Sequence, residues 1–365
     1  MKKFCFTLCV MVLASVLAYA DDAVMVFSGE VKTGLLWDNI EEPGQTTIDR
    51  ARIGNNDDAG IPGRIRLDGE LKKGTIGFRM RWETTNFKNV APPWAYAMAY
   101  GDFINNQLRL SGGRLGQSPW SSGGPEIWDE LDNLSGLRVE IKPNFLPGLN
   151  LGFVLNENNT DATNTDFSIL PLLQESIVGF SYTNEYFQIR AAYRFDSDKD
   201  SNLSTMGMSE GMDFIYRIEE RALRKVVPIS IWANGRWLGI AAEEEGRTNY
   251  INWLYIQINP GSLDAQIRTG LDIGSKKYMF KLKPVITYGI TDFFKIGFTF
   301  IYNKDFGEAA IAPDAPYTVM ALEPMIRFDF TNMYVALAYQ LNREYKAADR
   351  EKQTNWVNLR FVYTF

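Results

Sequence analysis

Charged chemistry in this sequence falls to arginine, lysine and carboxylates, because the chain contains no histidine. That excludes imidazole acid–base catalysis, His-dependent triads and His-ligated metals. Its two cysteines, Cys5 and Cys9, lie within the first twenty residues, in a segment expected to be removed, so the mature chain has no thiol or disulfide chemistry. Asp196, Asp198 and Asp200 alternate as at the start of a calcium loop. However, Ser201 holds the sixth position, where that loop needs glycine, and Gly207 the twelfth, where it needs a bidentate Glu. A solvated loop is the expectation there. No catalytic residue, metal or cofactor is assigned, and the chain is not read as an enzyme. Two charge groups remain: the arginines Arg64, Arg66, Arg79, Arg81 and Arg109, and the carboxylates Glu126, Asp129, Glu130 and Asp132.

Strands must position them. Ile76, Phe78, Met80 and Trp82 alternate with Gly77, Arg79, Arg81 and Glu83, so this stretch has an apolar and a charged face. The same alternation recurs along the chain, from Val24–Trp37 to the last ten residues, in roughly eighteen stretches. Aromatics at 13% supply strand formers, and no segment after the first twenty residues has the 18 consecutive apolar residues of a membrane-spanning helix. Connections alternate in length. Those around Lys73, Asn105, Pro147, Asn184, Leu223, Pro260, Thr291 and Thr331 are short. Those at 38–61, 85–92, 116–134, 157–174, 197–210, 239–248, 304–317 and 342–353 are mostly long, and the connection 274–277 breaks the rule. Short turns at one rim and long loops at the other are the pattern of a transmembrane antiparallel β-barrel. The reading is all-β, with 18 strands and 16 as the alternative.

The ends of the chain agree. Lys2 and Lys3, the apolar run 4–17 and Ala18-Tyr19-Ala20 form a secretory signal peptide over residues 1–20, leaving 21–365 as the barrel. At the other end Val357, Leu359, Phe361, Tyr363 and Phe365 share one face. This resembles the closing strand of bacterial outer-membrane β-barrels, and the resemblance implies that Phe365 is an assembly signal read by the barrel-assembly machinery. Gly113-Arg114, followed by the acidic stretch Glu126 to Asp132, is similar to the general porin family. In that family a strand ending in Gly-Arg leads into a third loop folded into the lumen. Ile127, Trp128 and Leu131 would give such a loop an apolar side to lay on the wall, and the alternative is an amphipathic helix on the outer rim.

The resemblance implies a passive aqueous diffusion channel for small polar solutes or ions in the bacterial outer membrane, with lipid as its surround and a homotrimer as a possible assembly. The competing reading is a barrel that displays loops such as 38–61 and 304–317 for adhesion or ligand binding. With 44 acidic against 38 basic residues, nucleic acid is not a partner. Three finer expectations follow. A turn at Lys73-Gly74 places Arg64 opposite Glu83, Asp68 opposite Arg79 and Arg66 opposite Arg81, a like-charge pair that an acidic loop across the pore would offset. Gly77, Ala95, Ala97, Ala99 and Gly101 face inward and leave space for a lumen. Trp37, Trp82, Trp94, Trp237, Trp253, Tyr100, Tyr302 and Tyr363 form girdles at the membrane boundaries.

Overall fold

A computed structural model describes residues 23–53, 63–84, 94–116, 118–121, 135–156, 176–195, 212–239, 248–274, 277–307, 316–346 and 350–365. The expected signal peptide, the acidic loop stretch 126–132 and the Asp196 to Asp200 segment lie outside the described residues. So do the Trp94 side chain and most of the long connections.

Each alternating stretch pairs antiparallel with its neighbours. The strands are β1 (Val24–Glu41), β2 (Ile48–Ile53), β3 (Arg64–Lys73), β4 (Ile76–Thr84), β5 (Trp94–Phe103), β6 (Leu108–Arg114) and β7 (Ser135–Ile141). There follow β8 (Leu149–Asn156), β9 (Ile177–Thr183), β10 (Phe187–Arg194), β11 (Met212–Glu220), β12 (Ile229–Gly239) and β13 (Thr248–Ile258). The last six are β14 (Leu263–Gly274), β15 (Lys277–Gly289), β16 (Phe294–Asp305), β17 (Pro316–Asp329), β18 (Met333–Lys346) and β19 (Arg350–Thr364). From β3 onward each strand pairs with the next, and β1 joins β19 to β3, with Leu36 opposite Asn358 and Glu30 opposite Arg66. Without β2, which lies in a connection, the described strands close an 18-strand barrel with no free edge. The count of 18 holds against the alternative of 16.

Two of the expected long loops are partly strand. Within the expected loop 38–61, β1 runs on to Glu41 and 48–53 form β2, with Asp38 opposite Arg50. The cause is an open edge: β3 covers β1 only as far as Lys32, so the backbone groups of the upper half need another partner, and β2 supplies it. Arg50 also closes an ion pair with the fully buried Asp38 at 2.8 Å. Similarly, 342–346 and 350–353 belong to β18 and β19, and Lys346 faces Arg350. Their polar residues belong to strands because a wet lumen accepts Asn342 and Glu344 on the inner face.

Val24 to Phe27 at the start of β1 are exposed on both sides, but from β3 onward the exposed apolar residues sit on one side of each strand, as on β18 (Leu337, Tyr339) and β19 (Tyr363). This outer face meets lipid. Trp37 and Trp237 lie on it and are well exposed, as does Tyr363. Two girdle expectations are corrected, because Trp253 and Tyr100 turn inward and are buried at 4% exposure each. Trp253 lies over Gly270 and Tyr100 over Gly77, glycines whose missing side chains make room for the rings.

Candidate functional site: the lumen wall

The charged lumen begins at the β3–β4 hairpin, where the expected register is off by two. The turn is Gly74-Thr75, with Gly74 at φ 58°, a left-handed conformation that glycine adopts freely. Arg66 therefore faces Glu83, Asp68 faces Arg81 and Glu70 faces Arg79. The like-charge pair Arg66/Arg81 does not form, because this register sets Arg66, Asp68 and Glu70 each opposite a complementary charge, which a sheet favours. The resulting pairs are short: Arg66–Glu83 at 2.8 Å, Arg81–Asp68 at 2.6 Å and Arg79–Glu70 at 3.2 Å. Arg64 pairs with Glu30 on β1 and reaches Glu83 at 3.5 Å. Arg109 on β6 binds Asp102 on β5 through two bonds of 2.6 and 2.8 Å. All five sequence-predicted arginines thus share the inner face, each beside a wall carboxylate. The carboxylates Glu126, Asp129, Glu130 and Asp132 lie outside the described residues.

The inner face of β5 reverses an expectation. Tyr96, Met98 and Tyr100 point inward, and Ala95, Ala97, Ala99 and Gly101 point to the lipid side. Tyr96 donates to Asp68 at 3.2 Å and Tyr100 to Glu70 at 2.8 Å, while the guanidiniums of Arg81 and Arg109 lie 5.1 and 4.7 Å from the two ring centres. Aromatic side chains go inward here because their hydroxyls find carboxylates there and their rings receive the arginines. Gly77 remains inward, beneath Tyr100.

Sequence reasoning missed the residue that fixes the start of the third loop. After β6 the chain turns into the barrel, and Trp120 is completely buried against Gly152 and Gly179, inward positions of β8 and β9 where any Cβ would overlap its ring. Leu115, Met98, Val154, Ile177, Ala192 and Ile215 close the socket. Arg138 on β7 donates to the carbonyl of Gly116 at 3.2 Å, a second tie between wall and loop. The described part of the loop therefore lies inside the barrel. Of the Gly-Arg motif, Gly113 has a backbone role, with φ at 114° and the Ala97 carbonyl 2.5 Å from any added Cβ. Arg114 ends the strand on the outer face, exposed.

Across the lumen the wall changes character. Trp232, Tyr255 and Trp253 form an inward aromatic group, the first two stacked at 4.9 Å. Cations flank it: Arg217 is 5.6 Å from the Trp232 ring, and Lys281 is 5.7 Å from Trp253 while bound to Asp272 at 2.5 Å. Arg190 faces Arg217 across β10–β11, and Arg268 faces Lys283 across β14–β15.

The sequence matches no protein-family model and no curated protein. Solved structures are similar in fold. An anion-selective porin from Comamonas acidovorans matches with a TM-score of 0.50 at 11% identity, over 94% of this chain and all of that one. A loop-deleted OmpT of Vibrio cholerae matches at 0.48 and 11%, over 94% and 100%. A Rhodopseudomonas blastica porin mutant matches at 0.47 and 13%, over 93% and 100%. The fold is that of bacterial outer-membrane porins, and its apolar outer belt suits it to that membrane.

Proposed function

We propose that this chain is an outer-membrane porin, a passive water-filled channel through which small polar solutes and ions diffuse. The observation that carries this reading is the inner wall: a closed barrel lined by charged pairs, with the third loop entering the lumen at Trp120. An interior built as a packed core would have no use for so many ion pairs, whereas a hydrated lumen keeps their desolvation cost low. In this proposal the narrowest passage lies between the wall of Arg64, Arg66, Arg79, Arg81 and Arg109 and the loop bearing Glu126, Asp129, Glu130 and Asp132. The wall arginines are offset by Glu30, Asp68, Glu70, Glu83 and Asp102, so they set a fine balance of charge rather than a uniformly basic surface.

Residues 1–20 serve as the export signal and Phe365 as the mark read by the assembly machinery. Recording from the purified protein in a planar bilayer tests the channel. Stepwise, ohmic current increments are expected. A barrel that inserts and yields no current would instead support the reading in which the loops bind or adhere.

A further inference from the structure

Arg190 and Arg217 face each other on the inner wall, and like charges at facing positions are something a sheet ordinarily avoids. Their surroundings relieve Arg217, which pairs with Glu219, more than they relieve Arg190. The other neighbour of Arg190 is Ser181 on β9, and the other neighbour of Arg217 is Asn234 on β12, giving an inward row Ser181, Arg190, Arg217, Asn234. Asn234 is fully buried, and both polar atoms of its amide lack a hydrogen-bond partner. Two residues further along β11, Glu219 is the one inward carboxylate of the group. Its two oxygens are already engaged, by Arg217 at 2.9 Å and by Arg224 at 3.4 Å. Arg221 follows; it and Arg217 repel Arg190, and Glu219 offsets this in part. Glu220 lies on the other side of the strand, opposite the exposed Phe187, and its carboxylate accepts from the Leu223 amide.

Among the described residues, Arg190, Arg217, Arg221 and Arg224 thus share one inward carboxylate, Glu219, at the short-turn end of β10–β11. Among the described residues Arg190 makes a side-chain bond only to the neutral Gln188, at 3.1 Å, and its Nε is buried without a partner. On β3–β6 every arginine of the wall has its own carboxylate. The contrast is what calls for a ligand.

We propose that this row is a binding site for a free phosphate-type oxyanion at the inner mouth of the lumen. Guanidinium forks match the oxygen geometry of such an anion, and charge-assisted hydrogen bonds to it would remove the Arg190/Arg217 repulsion. The anion comes from solution, since the row faces the lumen and not the lipid. The proposal rests on the channel reading only in that water and ions must reach the lumen.

The test is calorimetric titration of inorganic phosphate into the refolded full-length barrel in detergent, at constant chloride. Saturable binding is expected for the native chain. R190Q/R221Q should weaken it by about tenfold or more per arginine, the factor that corresponds to ~1.4 kcal/mol, below the usual worth of a charged hydrogen bond. R190K/R221K, which keeps the charges, should bind more tightly than the glutamine variant and guards against a folding defect. K295Q removes a lumen cation on a distant strand, where it is bound to Asp329 at 2.6 Å, and should leave the titration unchanged. Absence of saturable binding in the native chain, equal affinity in R190Q/R221Q, or equal weakening in K295Q overturns the site. Because the readout is heat of binding, a protein that binds phosphate but conducts no current would refute the channel and leave the site standing.

Discussion

Trp120 and Phe365 show how single rings depend on glycines placed to receive them. Truncating a buried Trp in a packed socket costs about 3–5 kcal/mol, so Trp120→Ala should release the start of the inward loop, and open-channel current noise should rise. Gly179→Val, which puts a branched side chain where the indole lies, should do the same with Trp120 intact. Quiet, native-like currents from both variants would mean that the loop is held by other contacts. At the seam, Phe365 exchanges backbone hydrogen bonds of 2.8 and 3.1 Å with Gly29 and lays its ring over it. Gly29→Val keeps the terminal phenylalanine available to the assembly machinery but displaces it from the closed barrel. The expected result is slower conversion to the heat-modifiable, SDS-resistant form in vitro, and unchanged conversion would show that the contact does not help closure. Neither partnership was legible in the sequence, because a glycine's role as a socket depends on which ring arrives from a strand distant in the chain.

At the scale of the element, charge alone could have corrected the β3–β4 register. Shifting the turn to Gly74-Thr75 replaces two opposite-charge pairs and one like-charge pair by three opposite-charge pairs, using residues all visible in the sequence. The face of β5 was less accessible to reasoning, since Tyr and Met suit lipid and lumen alike. What decided it were Asp68 and Glu70, two strands away. The alternation of loop lengths and the apolar face of β19 were readable because they depend only on local period. The corrected register also changes the argument about selectivity. Replacing Arg66 and Arg81 together by Gln takes the arginine from Asp68 and leaves Glu83 only its longer contact with Arg64, at 3.5 Å, so the reversal potential in a salt gradient should move toward cation preference. Each lost ion pair is partly exposed, with the arginines at 25% and 30% and the carboxylates at 15% and 24%, so stability should fall only modestly, by about 1 kcal/mol or less per pair. A reversal potential that stays put would remove this wall from the narrowest part of the pore.

For the whole molecule, register across the closing seam marks where the membrane ends. Trp37 on β1 faces Val357 on β19, which faces Tyr339 on β18, and these three outward residues form one level. Two residues higher stand Asn39, Asn355 and Leu341, and two higher again Glu41, Gln353 and Arg343. Tyr339 donates upward to Asn355 at 3.1 Å, as an interfacial tyrosine does when its ring is in lipid and its hydroxyl in water. Below, Phe293, Phe328, Phe330, Tyr363 and Phe365 gather at the short-turn rim, with ring centres 5.2 to 5.9 Å apart in contacting pairs. From Met333 to Leu341 the outer face of β18 is apolar, a rise of roughly 27 Å along the strand and about 20 Å after a tilt near 40°. That is close to the ~25 Å apolar belt of such barrels. The strands β18, β19 and β1 then continue into water, whereas β6 to β10, at 7 or 8 residues, are barely tall enough to cross. Because the sequence has cysteine only at positions 5 and 9, a single introduced thiol reports cleanly once those residues are removed. Arg343→Cys should react with a membrane-impermeant maleimide applied to intact cells, and Leu337→Cys, six residues lower on the same face, should not. Equal labelling at both positions would mean that the barrel does not sit in the membrane at the level the register indicates, and no labelling at Arg343→Cys would mean that this end of the barrel does not face the cell exterior.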